Sequence, residues 1–590
     1  MIHEKYDNFK VIKRDIMQYI RTILLFICIY VFANAKAQLS TNEKPVSFDR
    51  ESELALISRS STPIVTTPKL DMAKIEKEDE EDKEYDMPPR FRYSHIVNYD
   101  LNNSGTWYKL PNGGKLWQLE VVCPAALSVN FCYDKFWIPE GGKFFVYSKD
   151  RKHTIGAFTS RNNKGDKVNI RGFATGLVYG DDVVLEYYQP KEVTSDAIIS
   201  LKYVVHGYRY INGGQRSFGE SCSYMVNVNC SEGMDWQNEK KAVALMIVDG
   251  TRWCTGALLI TTDLEQKPYF LTANHCLGVM EDNHYVVHDA VTSPDLDLFS
   301  FYWNYETPGC DTITVEPPYD CTNAATVVAN NSYSDFALLR LSEDPKNLSN
   351  FTPYYLGWDS SGDAGDPGVC IHHPKGDVKK ISTVKDQPVS VSLGDQPIGS
   401  NSHWKVYWKQ TPHGHGVTQE GSSGSPLLTA KHKVIGQLHA STCNDCMNLN
   451  GHSIYGKFNL SWTGNNNTNI YRRLNCWLDS LNTGVQTMEG LQIISSDSIM
   501  NTNHELYSNI LIMSTGQLTI QSDIEMMGNS KVIVESGGSL IISGGVLSNA
   551  DLVLKPNATL RILNNGIIET RNGFEAPVGA IVEIRHGQIL

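Results

Sequence analysis

The sequence predicts a mainly β protein built from several modules, on three observations. Short apolar runs with period-two alternation, such as Leu116-Trp117-Gln118-Leu119-Glu120-Val121, recur between Gly, Asn and Pro turns. Such alternation buries every second side chain of a strand. Helical periodicity is scarce; its best stretch, Asn469 to Leu481, predicts a terminal helix carrying Trp477 and Leu478. At 590 residues the chain is also too long for one core, and its composition changes along its length.

The amino-terminal stretch reads as an export signal over residues 1–37. Lys10, Lys13, Arg14 and Arg21 precede the apolar run Ile23 to Phe32, and Ala35-Lys36-Ala37 offers small residues at a cleavage position, with Met17 as an alternative start. The run is short for a membrane span, so a secreted or cell-surface location is expected. Residues 38–90 read as an acidic disordered linker, because Glu76 to Asp86 holds a dense run of Glu and Asp with few aromatics. Residues 91–216 are β-rich and predict a sandwich, serving as a propeptide or an accessory domain. Residues 217–491 form a second β unit. From 492 to 590, triplets such as Ile510-Leu511-Ile512, Leu518-Thr519-Ile520 and Leu540-Ile541-Ile542 recur between Gly or Asn turns, which predicts a β-solenoid or small sandwich. A surface, export-machinery or sugar-binding role is the expectation for that module.

Charge and cysteines narrow the function classes. The formal net charge is -13, with no basic stripe to collect phosphates, so no nucleic-acid partner is expected. Of 13 cysteines, Cys28 lies in the export signal; the even remainder fits disulfides in an oxidising compartment, and ten of them fall between Cys222 and Cys476.

The chemistry concentrates in 217–491. In Gly421-Ser422-Ser423-Gly424-Ser425-Pro426 the glycines allow a tight turn with Ser423 at its apex, and the N–H groups of Gly421 and Ser423 are placed to form an oxyanion hole. Tyr269 to Cys276 is an apolar strand running into a turn that presents His275, a base that titrates near neutrality. Cys254 is a candidate partner for Cys276, a bridge worth on the order of 3 kcal/mol. Asp335 leads the apolar strand Phe336-Ala337-Leu338-Leu339 and is the candidate to orient the imidazole. A Gly/Ser loop or a lone histidine has a bland explanation by itself. All three in the order His, Asp, Ser point to nucleophilic acyl transfer.

Together these stretches resemble the bacterial lysyl endopeptidase family of trypsin-like, chymotrypsin-fold serine proteases, over Ser217 to Leu491. Further matching stretches are Asn227-Val228-Asn229-Cys230, Ile371-His372-His373-Pro374, Gly416-Val417-Thr418-Gln419, Gly436-Gln437-Leu438-His439 and Ser461-Trp462-Thr463-Gly464. The resemblance implies two six-stranded β-barrels with the site between them, protein or peptide substrates, and neither cofactor nor metal. It implies the bridges Cys254–Cys276 and Cys230–Cys310, and one from Cys222 to Cys443 or Cys446. It also implies a propeptide cut between Arg216 and Ser217, and a primary pocket that includes Ser453, Gly436 and His439, with His439 beside the triad. Cys321, Cys370 and Cys476 fall outside the family's pattern, and Cys123 with Cys132 is a candidate local pair.

One departure bears on specificity. The family has an aspartate for the substrate lysine where this chain has Ser453, just before Ile454-Tyr455-Gly456. An unpartnered buried ammonium is costly, so lysine specificity does not carry over unless Asp445 moves in from its loop. Self-processing at Arg216 would instead require an arginine-accepting pocket; a helper protease would not. Cys443-Asn444-Asp445-Cys446 reads as structural rather than redox or zinc-binding, and His372-His373 and His413-Gly414-His415 as loop histidines rather than ligands. The rival readings are an adhesin or binding protein on a protease-fold scaffold, and an esterase using the same triad.

Overall fold

The computed structural model describes residues 43–49, 63–84, 88–209, 221–281, 284–287, 295–313, 317–349, 351–393, 400–443, 446 and 448–590. The export signal, Arg216, Ser217 and Asp445 lie outside these residues. Among them, no helix is long and apolar enough to cross a membrane.

The amino-terminal part has two sheets. One runs Ile64–Thr66, Lys115–Val122, Asp182–Gln189, Lys143–Ser148 and Thr154–Phe158; the other runs Arg92–Asp100, Ile198–Gly207, Ser128–Trp137 and Phe173–Ala174. Trp117, Leu119 and Val121 of the first share a core with Val129, Phe131 and Tyr133 of the second. Along Lys115–Val122, Asp182–Gln189 and the first half of Ser128–Trp137 every second residue turns inward, as the alternation requires. The same rule corrects the expected Cys123–Cys132 pair. Cys123 belongs to this inner core, whereas Cys132 faces the other way, toward Ala174, Val205 and Leu298, and both are free thiols.

The acidic run is a second correction, because it is not a disordered linker over its whole length. Met72–Glu84 is a helix of 13 residues. Lys74–Glu78 and Lys77–Glu81 pair one turn apart, at 3.7 and 3.3 Å. Three arginines from elsewhere then pair with the helix: Arg90 at Asp79 (2.9 Å) and Glu78 (3.0 Å), Arg209 at Asp79 (3.0 Å), and Arg252 at Asp82 (2.6 Å). Composition alone cannot register countercharges supplied by tertiary contact.

Two barrels follow. The first is closed by six antiparallel strands in the order Val243–Val248, Arg252–Leu258, Tyr269–Ala273, Phe336–Leu341, Asp320–Asn331 and Asp295–Trp303, the last pairing back to the first. In the second, the order is Lys380–Thr383, Pro367–His372, Pro426–Thr429, Lys433–Ser441, His452–Lys457 and His403–Tyr407. A bridge between Val384 and Trp408 joins its two outer strands and completes the ring. The predicted helix over 469–481 is corrected to two single turns, Ile470–Arg472 and Asn475–Leu478. The Asn-rich lead-in supplies an Asn469 side-chain cap for the Tyr471 N–H (3.0 Å) instead of continuing a helix.

The carboxy-terminal module is a parallel β-solenoid. Gly490–Ile494, Ser508–Ile512 and Lys531–Val534 stack on one wall, and Asp497–Met500, Gln517–Ile520, Ser539–Ser543, Thr559–Leu563 and Ile581–Arg585 on another. Ile510, Leu518, Ile520, Leu540 and Ile542 fill the interior. Its first coil begins at Gly490, two residues before the predicted boundary, and docks on the second barrel through Lys433–Glu489 (2.8 Å) and on the segment between the barrels through the Tyr355–Leu491 bridge.

Candidate active site

His275 opens a single 3-10 turn at the end of the Tyr269–Ala273 strand. Its backbone N–H donates to Asp335 Oδ1 (2.9 Å) and its ring Nδ1–H to Asp335 Oδ2 (2.7 Å). Asp335 sits in the left-handed region (φ 55°), which Asp tolerates, and this turn aims its carboxylate back at His275. The Asn274 N–H donates to the Asp335 carbonyl (3.0 Å), and the Asn274 side chain accepts from Asn330 (2.9 Å). Asp335 is buried, which opposes its ionisation, yet the nearby His275 and His439 and the two hydrogen bonds from His275 outweigh burial and hold its carboxyl below the usual range.

Ser423 stands half-buried on its turn in the second barrel. Gly421 and Gly424 both have positive φ, 85° and 84°. A Cβ on Gly424 would lie 2.2 Å from Thr272 Oγ1 and 2.7 Å from the Ala273 nitrogen, so the turn presses against the end of the strand that carries His275. Thr255 fastens the turn from the first barrel. Its N–H donates to the Ser423 carbonyl (2.8 Å) and its hydroxyl to the Gly421 carbonyl (2.8 Å). Ser422 turns away into the second barrel, sharing a proton with His372 (2.7 Å), whose other ring nitrogen meets Ser382 (2.9 Å). The backbone N–H groups of Gly421 and Ser423 have no acceptor among the described residues, leaving two donors at the apex for a developing oxyanion.

Beyond the pair, the His439 ring stacks 5.7 Å from that of His275, with Nε2 3.7 Å from Asp335. His403 continues the line, sharing a proton with His439 Nδ1 (2.9 Å) and with Ser402 (2.6 Å). Burial and the neighbouring His439 push His403 down to about 4. Of the expected pocket residues, His439 therefore sits with Asp335. Gly436 lies within the sheet, where a Cβ would strike the Gly456 carbonyl at 2.6 Å. Ser453 is fully buried, and its hydroxyl meets Thr418 (2.6 Å), the Trp408 indole N–H (3.0 Å) and Ser441 (3.4 Å), all neutral.

The domain contains the disulfides Cys254–Cys276, Cys230–Cys310 and Cys222–Cys446; Cys321, Cys370, Cys443 and Cys476 are free. Cys254–Cys276 ties the histidine turn to the strand that carries Thr255. Two groups of side chains come close enough to share an ion among the described residues. In one, Cys230 and Cys310 are already joined to each other; the other is His275, Asp335 and His439 itself. His413 instead pairs with Glu232 (2.9 Å). Thr255 and His403 are positioning residues that sequence reasoning did not single out, and His372, expected as a loop histidine, is instead a fully buried residue of the Pro367–His372 strand. Thr255 directly follows Cys254 in the sequence, whereas His403 has no local signal.

Residues 218–456 match the family described as lysyl endopeptidase, C-terminal domain. This stretch is similar to the lysyl endopeptidase family. A lysyl endopeptidase of Pseudomonas aeruginosa is 28% identical over 274 residues, covering 44% of this chain and 54% of the relative. The alignment thus spans about half the length of that relative. Among solved structures, a Glu endopeptidase in complex with MPD aligns over 42% of this chain and 93% of its own (TM-score 0.23, 15% identity). The inactive form of the Rv3671c Ser343Ala mutant from M. tuberculosis aligns over 37% and 82% (TM-score 0.24, 14% identity). The HtrA-type protease AlgW with tripeptide aligns over 38% and 60% (TM-score 0.24, 15% identity). The matched domain is mainly β, and its first barrel closes with six strands.

Proposed function

We propose that this chain is a secreted serine endopeptidase that cleaves protein or peptide substrates through an acyl-enzyme on Ser423. The observation that carries the reading is the buried His275–Asp335 pair (2.7 Å) set against a turn with two unengaged N–H donors. In this mechanism Ser423 Oγ attacks the scissile carbonyl carbon while His275 Nε2 takes its proton. The carbonyl oxygen becomes an oxyanion between the Gly421 and Ser423 N–H groups. Asp335 keeps the Nδ1–H tautomer and stabilises the imidazolium that forms. Collapse of the adduct breaks the C–N bond, and His275 returns the proton to the leaving amine. Water then attacks the acyl-enzyme, giving its proton to the same base, and Ser423 is freed.

Cleavage of a diverse peptide library, read by mass spectrometry, tests this. Cuts by the wild-type protein are expected; their absence from properly processed protein would favour the binding-protein reading. The residue before each cut reads the pocket. The neutral network around Ser453 supports a preference for neutral side chains over lysine. Ser453→Asp is expected to raise kcat/KM for lysine substrates by roughly 100-fold, the scale for pairing a desolvated charge. The Trp408 indole N–H and the Thr418 hydroxyl already stand ready to receive the new carboxylate. No gain for lysine over leucine in paired substrates would show that this position does not face the substrate.

Processing after Arg216 would make Ser217 the first residue of the protease domain. Full-length protein, verified uncut by mass, is expected to digest substrate more slowly than the form that begins at Ser217. Equal rates would remove the zymogen reading.

A further inference from the structure

We infer that the amino-terminal sandwich is a permanent part of the working enzyme: it stays docked on the first barrel after the connecting segment is cut, and it supports the oxyanion turn from behind. The second half rests on the protease reading above; the first does not.

The sequence of the barrel already anticipates a cover. A barrel strand with a wet outer face alternates, but Val243–Val248 reads VALMIV and every one of its side chains is buried. Ala244, Met246 and Val248 face the barrel core, while Leu245 and Ile247 join the core of the sandwich. The Asp295–Trp303 strand divides likewise, with Phe299, Phe301 and Trp303 turned inward and Tyr302 outward into the sandwich. Trp253, Tyr305 and Tyr319 complete this shared aromatic face. Without the sandwich, one side of the barrel would expose a contiguous apolar patch of a kind that soluble monomers rarely carry.

Polar groups along the seam are equally committed. Arg92 of the sandwich is fully buried, stacks on Phe91 (4.0 Å), and donates to Asn130 (2.8 Å) and to the Gly250 carbonyl of the barrel (3.2 Å). Lys164 pairs with the buried Glu343 at 2.9 Å. Glu343 in turn accepts the Asn323 N–H (2.8 Å). Arg171 engages both carboxylate oxygens of Asp297. Loss of the sandwich would leave the Glu343 carboxylate without its cation, an unfavourable outcome to the extent that the site stays dry.

The link to chemistry runs through Trp253. The Phe91 ring lies 4.4 Å from the Trp253 ring on one side. On the other, a Cβ on Gly421 would fall 2.4 Å from Trp253 Cδ1, so the indole lies directly against the α-carbon of the first oxyanion residue. Phe91 is itself fixed by its N–H to the Thr251 carbonyl (3.1 Å). Sandwich, indole and oxyanion turn thus form one packed stack.

The test uses the full chain carrying Ser423→Ala and a recognition sequence for a site-specific protease placed between residues 211 and 219. After complete cutting, gel filtration with light scattering is expected to give one species of the uncut mass holding both fragments, at low and at high salt. Two separate species would overturn retention. This arm needs no catalysis and stands even if the chain hydrolyses nothing. In the active chain, Phe91→Leu keeps apolar bulk but removes the ring. It is expected to lower kcat by up to about 100-fold with KM unchanged, as a small displacement of a reacting group does. Unchanged kcat would overturn the supporting role.

Discussion

Alanine at Ser423 is expected to lower kcat by roughly a millionfold, to the level that binding and the oxyanion donors sustain without a nucleophile. The structure makes this a clean experiment. The contacts that hold the turn are backbone contacts, from the Thr255 N–H to the Ser423 carbonyl (2.8 Å) and from the Gly424 N–H to the Leu438 carbonyl (2.8 Å). Alanine keeps both, and Gly421 and Gly424 still supply the left-handed positions, so the thermal midpoint should stay close to that of wild type. Adding His275→Ala should cost little more, because base and nucleophile act as a unit and their losses do not add. Peptide release followed by mass spectrometry, beside a melting curve, measures both. Substantial residual turnover in correctly folded Ser423→Ala protein would refute nucleophilic catalysis at this serine.

The parts of the site that were legible in the sequence are those whose chemistry is local. A glycine-flanked serine, a histidine at the end of an apolar strand and an aspartate at the start of another each carry their own spacing. Their order along the chain adds information that none has alone. The partners that steady them come from distant positions. Thr255 reaches Ser423 across 168 residues of chain, and His403 meets His439 only because the strands of the second barrel return them to one place. The acidic helix fails as a sequence reading for the same reason: its countercharges Arg209 and Arg252 arrive from two other parts of the chain. The amino-terminal seam is a different case, because its signal was present. VALMIV is a run without alternation, and a strand buried on both faces is its physical meaning. The short stacked strands of the last module, expected as a solenoid or small sandwich, follow from a local repeat, whereas the helix expected over Asn469 to Leu481 gives way to two single turns, since asparagine side chains compete for the backbone donors a helix needs.

Asparagine at Asp335 is expected to lower kcat by about 10⁴-fold with little change in KM, because it alters the proton on His275 rather than the place where substrate binds. The amide is nearly isosteric, and Asn accepts the left-handed backbone found there (φ 55°), so the turn should survive. What changes is the pair of acceptors. In the native site both carboxylate oxygens receive a proton from His275, one from the backbone (2.9 Å) and one from the ring (2.7 Å). An amide offers one acceptor and one donor. If its oxygen keeps the backbone N–H, its NH₂ confronts the ring and forces the other tautomer, with the proton on the nitrogen that must act as base. The charge that stabilises the imidazolium disappears as well. A second readout separates this from a general loss of structure. The folded-state pKa of Asp335 lies below its ordinary value. The ionised form therefore stabilises the fold above about pH 4, and that contribution fades as pH falls through the depressed folded value. Asn carries no such dependence, so the melting temperature of the variant should decline less steeply than that of wild type below about pH 4. Melting curves across that acid range, beside kcat at neutral pH, decide the matter. A large kcat loss with a flatter acid limb identifies Asp335 as the residue that holds the tautomer. A large loss with the wild-type acid limb would move that role to His439 and the line of groups behind it.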